Sequence, residues 1–106
     1  MTTFDDRQKG FEEKFAHDND LQFRVINRRN KLLGLWAADQ LGKRGADADA
    51  YAKEVVLSDF EAPGDDDVIQ KIAKDFAAAG VGVAERQIKK QMEHLQLAAK
   101  DMIMKE

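Results

Sequence analysis

The fold of this chain is decided by residues 81–102, which read VGVAERQIKKQMEHLQLAAKDM. Apolar side chains recur there in steps of three and four, at Val81, Ala84, Ile88, Met92, Leu95, Ala99 and Met102. Such steps trace one stripe along a helix of about six turns. Gly80 and Gly82 break the chain before that helix. Three further apolar residues fall outside the stripe and widen the apolar surface: Leu97, Ile103 and Met104.

Three more helices are predicted upstream by the same spacing. The first runs from about Leu21 to Leu41 and stops at Gly42. Its apolar seam, the line of side chains expected to face the core, consists of Phe23, Ile26, Leu33, Ala37 and Leu41. This seam is broadened by Val25, Leu32 and Trp36. The second opens near Asp47 and offers Ala48, Tyr51, Ala52, Val55, Val56 and Phe60. The third follows the turn at Pro63, buries Val68, Ile69, Ile72 and Phe76, and is closed by Gly80. Gly34 lies inside the first helix, where we expect it to permit close contact with another helix.

The connections between these segments are short, so neighbouring helices should run antiparallel, which predicts an all-α four-helix bundle. No segment shows the two-residue alternation typical of strands. Residues 1–19 differ in composition from the rest of the chain. The predicted organisation is therefore an N-terminal arm at 1–19 and a bundle at 20–106.

The composition narrows the class of protein. The 106 residues suffice for one domain, with 43% hydrophobic and 35% charged residues and a net charge of −3. No cysteine is present, so a disulfide, a thiol nucleophile and a thiolate metal site are excluded. We see no secretory leader, and no apolar run approaches the roughly 20 residues of a membrane span. These features predict a cytoplasmic protein without membrane insertion and without a general attraction to nucleic acid.

The arm carries three phenylalanines, Phe4, Phe11 and Phe15, on one face of a potential helix that is otherwise polar. Thr3 and Asp6 have the spacing of a weak capping box, whereas Gly10 opposes helix formation. Such a short helix is marginal alone and gains order when its rings are buried. Two interpretations stay open: the rings enter a groove of a partner, or they fold back onto the bundle.

Little in the sequence indicates chemistry. His17 and His94 are the only histidines, and neither has a companion at metal-ligand spacing. We therefore expect no catalytic residue, no metal and no cofactor, and no enzyme. His17 titrates near neutrality at the junction of arm and bundle, so a pH-dependent arm is one hypothesis.

A basic strip follows the first bundle helix and consists of Arg24, Arg28, Arg29 and Lys31. It is either a solvated surface or a docking face for an acidic protein surface, with Arg28 and Arg29 as its candidate contacts. Nucleic acid ranks low because the strip has no interleaved aromatic residues and the chain has no net positive charge.

Several runs of residues resemble the zeta subunit of alphaproteobacterial F-type ATP synthases, a family of small ATPase inhibitors. The most specific runs are Thr3-Phe4-Asp5-Asp6-Arg7, Lys14-Phe15-Ala16-His17-Asp18 and Arg28-Arg29-Asn30-Lys31-Leu32-Leu33-Gly34-Leu35-Trp36-Ala37-Ala38. Tyr51-Ala52, Val55-Val56, Ser58-Asp59-Phe60 and Pro63-Gly64-Asp65 also fit. The resemblance covers essentially the whole chain and is dense up to Asp67.

This resemblance implies a four-helix bundle with a mobile inhibitory segment, about Thr2 to Asp18. That segment would enter an interface between the alpha and beta subunits of the ATPase head, near the rotor subunits. Residues Phe4, Phe11 and Phe15 would be its anchors, and Asp5, Asp6, Arg7 and Lys14 its rim contacts. The protein would then lie on the cytoplasmic side, peripheral to the inner membrane through the ATP synthase. The alternatives are a helical adaptor without inhibitory activity and a weak nucleotide-binding regulator.

Overall fold

The computed structural model describes residues 19–61 and 65–105, and these ranges are almost entirely helical. The four helices are α1 (Asn19–Gln40), α2 (Ala46–Glu61), α3 (Asp65–Ala79) and α4 (Glu85–Lys105). No strand occurs within these ranges. The predicted all-α class is therefore confirmed.

Each helix packs beside its neighbours in the chain, and the last helix packs against the first. Helix α1 packs against α2 and α4, α3 packs against the same two helices, and α2 and α4 lie across the diagonal without a close approach of their backbones. In α1, Gly34 lies against Ala52 of α2, and Arg29 bonds to Gln96 of α4. This is the cyclic arrangement of a four-helix bundle with short connections, as the sequence predicts.

Glycines with a positive φ end two of the helices. Gly42 follows α1 with a φ of 78°, and Gly80 follows α3 with a φ of 73°. After each glycine the next amide bonds back to the last turn: Lys43 to the carbonyl of Ala38 at 2.9 Å, and Val81 to that of Phe76 at 2.8 Å. This arrangement is the Schellman motif, which needs a residue without a Cβ at the left-handed position. The predicted ends at Gly42 and Gly80 are confirmed.

The last helix begins later than its apolar stripe suggests. Val81 and Ala84 precede α4, which starts at Glu85. The side chain of Gln87 turns back, and its Oε1 accepts a hydrogen bond from the Ala84 amide at 2.9 Å. This contact satisfies an amide that the first turn would otherwise leave unpaired. Val81 still packs on the core from the loop, whereas Ala84 is exposed. The stripe therefore places Val81 correctly and Ala84 wrongly, and it starts four residues before the helix.

The main core is built by all four helices, and we call it the four-helix end of the bundle. Its buried members are Leu33, Ala37, Ala38, Tyr51, Val55, Val68, Ile69, Ile72, Phe76, Ile88 and Met92. Trp36 lies against Phe76 edge to face, with ring centroids 5.8 Å apart and an interplanar angle of 67°. Such pairs add to the stabilisation from buried area. The periodic positions of the sequence fill this core, as predicted.

A second, smaller core lies between α1 and α4 alone, and we call it the two-helix end. Its buried residues are Val25, Ala99 and Ile103, with Leu21 and Leu32 packed against them. Two predictions are wrong here. Ile103 is 5% exposed although it lies outside the predicted stripe, and Met102 is 41% exposed although it lies within it. A repeat of three and four residues drifts around a 3.6-residue helix, so over several turns the buried face moves from Met102 to Ile103.

The same end corrects one position of α1. Phe23, which the sequence assigns to the seam, is 48% exposed, whereas Val25 is buried against α4. The first turns of α1 are buried mainly by α4. The buried face of these turns is therefore the one that meets α4. It is not the continuation of the predicted seam that includes Leu33.

Gly34 has the role that its position suggests. A Cβ at Gly34 would lie 2.7 Å from the Ala52 Cα and 3.2 Å from the Val55 Cβ. A separation below 3.0 Å from a backbone atom cannot be relieved by a side-chain rotation. The glycine thus permits the close approach of α1 and α2, which confirms the prediction of close helix contact.

Candidate partner-binding site

The predicted binding residues divide into two groups. Phe4, Asp5, Asp6, Arg7, Phe11, Lys14 and Phe15 lie outside the described residues, as does His17, and their roles remain predictions. Arg28 and Arg29 lie in the middle of α1. The contacts of these two neighbours differ strongly.

Arg29 is buried between α1 and α4, with 4% of its surface exposed. Its Nε and Nη2 donate to the Asn30 Oδ1 at 3.1 and 2.9 Å, and its Nη1 donates to the Gln96 Oε1 at 3.1 Å. The bond to Gln96 joins α1 to α4 between the two apolar cores, and the two bonds to Asn30 lie within α1. The side chain therefore has a structural role. It does not present the exposed guanidinium that the docking role predicted for Arg29 would need.

Asn30 completes this layer and is fully buried. Its Oδ1 accepts both bonds from Arg29, while its Nδ2 has no hydrogen-bond partner in the part of the chain that the structure describes. Turning the amide over would point its NH₂ group at the guanidinium donors, so the orientation is determined by Arg29. We call Arg29, Asn30 and Gln96 the polar layer. An unsatisfied buried donor costs about 1–3 kcal/mol, so this layer reduces the stability that an apolar layer would provide.

Arg28 points the other way, toward the surface. Its Nη1 lies 3.9 Å from the Met102 Sδ, a weak contact that reaches the last turns of α4. One turn away on either side are Arg24 and Lys31, both exposed. Three of the four residues of the predicted basic strip therefore share an outer face of α1, and only Arg29 leaves it.

This face borders a depression that the sequence did not reveal. Two adjoining hollows of about 530 and 320 Å³ share Lys31 and Val56 and run along α1 and α2, and we call them together the basic groove. The larger is lined by Lys31, Asp49, Ala52, Lys53, Val56 and Leu57. The smaller is lined by Arg24, Asn27, Arg28, Lys31, Val56 and Ile103. The small Ala52, which contacts Gly34, leaves room at the floor of the larger hollow.

A second polar cluster joins α2 to α3. The Tyr51 hydroxyl donates to the Asp75 Oδ2 at 2.7 Å, and the Lys71 Nζ lies 3.1 Å from the same oxygen and 3.4 Å from the Glu54 Oε2. The Lys71 Nζ also lies 5.2 Å from the centroid of the Tyr51 ring. Burial raises the pKa of Tyr51 far above its usual value, and the hydrogen bond to Asp75 and the nearby carboxylates of Asp75 and Glu54 raise it further. The phenol therefore stays protonated and acts as a structural donor.

The described residues offer no site for a metal ion. Within 19–61 and 65–105, no three histidine or carboxylate side chains come together at ligand distance, and His94 is exposed on α4. None of the helices in these ranges is long and apolar enough to cross a membrane.

Comparisons with known proteins identify the family. The sequence profile described as ATPase inhibitor subunit zeta matches residues 1–102, nearly the whole chain. A solved solution NMR structure is 42% identical, with a TM-score of 0.71 over 80% of this chain and 96% of its own. No curated protein matches the chain. Because the profile covers both the N-terminal segment and the bundle, the chain belongs to the ATPase inhibitor subunit zeta family.

Proposed function

We propose that this protein inhibits ATP hydrolysis by an F-type ATP synthase, and that its N-terminal segment enters an interface between the alpha and beta subunits of the head. The observation that carries the proposal is the match to an inhibitor family from residue 1 onward, which includes that segment. The inhibitor contributes no chemistry of its own. On this proposal the protein lies at the cytoplasmic side of the membrane, held there by the ATP synthase.

The composition of the segment supports insertion. Phe4, Phe11 and Phe15 are spaced to share one face of a helix. Each ring would contribute about 2–3 kcal/mol when buried in a cleft of the partner. Part of this free energy would be spent on ordering the segment, as in other helices that bind in grooves. Charged residues beside the rings, such as Arg7 and Lys14, would then contact the rim.

The bundle supplies a firm base for such a segment. Helix α1 begins at Asn19, directly after the segment, and it contacts all three other helices of the described fold. A force on the inserted segment is therefore transmitted to the whole bundle and not to a single hairpin. This continuity favours an inhibitor over a passive tether.

Inhibition of rotation then follows from differential binding. The catalytic interfaces of a rotary ATPase change shape in turn, and a wedge that fits one shape best lowers the free energy of that state only. A difference of about 5.5 kcal/mol would move an equilibrium from 1:99 to 99:1. Three buried rings can supply a difference of this size. Leaving the bound state thus becomes the slow step of hydrolysis.

The test is an inhibition assay on isolated ATPase heads. The full chain should slow ATP hydrolysis, and the triple variant Phe4→Ala, Phe11→Ala, Phe15→Ala should not. The control is Leu97→Ala, Met104→Ala, which removes exposed apolar side chains of α4; it should inhibit as wild type does.

The same assay decides between the alternatives. A wild-type chain that binds the heads without slowing hydrolysis would indicate a helical adaptor. Inhibition that persists in the triple phenylalanine variant would contradict insertion through these rings. A weak nucleotide-binding regulator would bind ATP with no heads present, which calorimetry on the free chain measures directly.

A further inference from the structure

We infer that the basic groove docks an acidic, amphipathic helix of the ATP synthase head, so that the bundle binds through one surface while the N-terminal segment inhibits through another. The inference rests on the proposed function, because that function makes the head the partner. The groove, its charges and its apolar floor are independent of the N-terminal segment.

The charge of the groove favours an acidic partner. Among the residues that the structure describes, four cationic side chains line it, Arg24, Arg28, Lys31 and Lys53, against the one carboxylate of Asp49. The chain as a whole carries a net charge of −3, so this concentration of positive charge runs against the overall balance. Lys31 and Lys53 are both exposed and belong to different helices. Their charges attract a partner from solution and orient it.

The floor of the groove is apolar. Ala52 and Val56 are buried or half-buried there, and the adjoining Leu57 is 60% exposed. A leucine this exposed at the edge of a hollow offers apolar area that a partner can cover. A helix with an apolar stripe between two rows of carboxylates matches this cross-section.

The length of the groove fits a helix of moderate size. Lys31 and Val56 line both hollows and mark where α1 and α2 meet at its middle. Arg24 lies seven residues before Lys31, and Asp49 seven residues before Val56. In antiparallel helices these two spans extend in opposite directions, which gives about 21 Å, or a helix of about 14 residues.

The other large depression lacks these properties. It lies between α2 and α3, has about 950 Å³ of open space, and mixes Lys71 and Lys74 with three carboxylates, Glu54, Asp67 and Asp75. Lys71 is already paired with two of these carboxylates. No partner of one charge is favoured there.

The experiment measures displacement of labelled protein from ATPase heads. Since the chain has no cysteine, one exposed position of α4, Arg86→Cys, carries a fluorophore, and unlabelled variants of the full chain compete with it. The double variant Lys31→Glu, Lys53→Glu should bind about tenfold more weakly, because two favourable surface contacts become repulsive. The matched control Lys89→Glu, Lys90→Glu changes the charge equally on the exposed face of α4 and should bind within about twofold of wild type.

The apolar floor has its own matched pair. Leu57→Ala should weaken binding about fivefold by removing buried apolar area. Leu97→Ala, which alters a leucine that is 70% exposed on α4, should leave binding unchanged. The side chains changed in these variants are all exposed: Lys31, Lys53, Leu57, Lys89, Lys90 and Leu97. Thermal unfolding should therefore confirm that each variant is folded.

Docking through the basic groove and insertion of the N-terminal segment can be tested separately. The triple variant Phe4→Ala, Phe11→Ala, Phe15→Ala should still displace labelled wild type without inhibiting hydrolysis, and adding Lys31→Glu, Lys53→Glu should remove that displacement. A wild-type chain that binds without inhibiting overturns the proposed function, while the displacement data still decide the groove.

Three results would contradict the docking of an acidic helix in the basic groove. One is equal binding by the Lys31→Glu, Lys53→Glu variant and its α4 control. Another is a dimer of the free chain that dissociates only in this variant, which sedimentation would show and which would make a second copy the occupant. The third is release of the labelled protein from the heads by a short oligonucleotide at the same concentration as the unlabelled chain. That result would make the surface a nucleic-acid site.

Discussion

The two ends of the bundle differ in how many helices enclose them. At the four-helix end, aromatic and branched side chains from every helix pack together, with Phe76 and Ile72 at the centre. At the two-helix end, Val25, Ala99 and Ile103 are shared by α1 and α4 only. The polar layer of Arg29, Asn30 and Gln96 separates the two. One end therefore provides stability, and the other is where α1 begins and the N-terminal segment joins the bundle.

This difference suggests why stability and binding do not conflict here. A segment that inserts into a partner pulls on the helix to which it is joined. Because that helix is anchored in the four-helix end and less enclosed near Asn19, its first turns can adjust without loss of the core.

The largest effect is expected at the four-helix end from Phe76→Ala. Phe76 is 1% exposed and contacts Trp36. Removing the ring should lower the free energy of unfolding by about 3–5 kcal/mol through lost burial and a residual cavity. Urea denaturation monitored by circular dichroism would measure the loss. A folded variant with less than about 1 kcal/mol lost would contradict the central role of this core.

The comparison at the other end is Ile103→Ala. Ile103 is also buried, but it lies in the smaller core at the end of α4, where neighbours can close the gap. We expect a loss near the lower limit for such changes, about 2 kcal/mol. Equal losses at Phe76 and Ile103 would show that the two ends are equally rigid and would remove the contrast.

The polar layer should respond asymmetrically. Arg29→Ala leaves the buried Oδ1 of Asn30 without its two donors and should cost about 2–3 kcal/mol. Arg28→Ala changes the neighbouring arginine, which is outside the layer, and should cost about 0.5 kcal/mol or less.

Replacing the whole layer tests the same point in reverse. The triple variant Arg29→Met, Asn30→Leu, Gln96→Leu removes every buried polar group of the layer together, including the unpaired Nδ2 of Asn30. Apolar replacements of buried polar networks are often neutral or stabilising. A strong loss of stability in this triple variant would show that the layer stabilises the bundle.

Gly34→Ala should disturb the junction of α1 and α2 within the four-helix end. Alanine favours the helix by about 1 kcal/mol, but its Cβ would collide with the Ala52 backbone. Overpacking of this kind costs about 1–3 kcal/mol, so we expect a net loss of up to about 2 kcal/mol, measured in urea. Gly82→Ala is the control, since a Cβ there meets nothing within 4 Å and the backbone needs no positive φ. A stabilised Gly34→Ala variant would contradict the close approach.

The positions that the sequence predicts correctly and wrongly divide between the same two ends of the bundle. Ile72, Phe76 and Ile88 are correctly placed in the core because the four-helix end buries one face of each helix, and spacing along the chain reports that face. At the two-helix end the buried face depends on a single neighbour. The assignments of Phe23 and Met102 failed there because spacing does not say which neighbour a face meets.

The binding surfaces show a similar limit. Arg29 was grouped with the basic strip because of its charge, although it lies four residues after Val25 and four before Leu33 on the buried face, a spacing that could have revealed its burial. Lys53 was not predicted as part of a binding surface, because its position beside Lys31 depends on the register between α1 and α2. Residues such as Phe4 and Phe15 lie outside the described ranges, so the predictions for the segment await the inhibition assay.

The smallest effect is expected from Tyr51→Phe, which removes one hydrogen bond between α2 and α3 and keeps the ring. The loss at pH 7 should be about 1 kcal/mol.

The pKa of Tyr51 is raised in the fold, so the folded chain retains the phenol proton at a pH where the unfolded chain releases it. The stability that this group contributes is therefore fully present below the ordinary tyrosine pKa of about 10 and is lost as the pH rises above it. The wild-type chain should be destabilised between about pH 10 and 11 more than the Tyr51→Phe variant, which lacks this group. Since Tyr51 is the only tyrosine of the chain, the same titration can be followed by its ultraviolet absorbance, and ionisation of the folded protein near pH 10 would contradict the buried bond to Asp75.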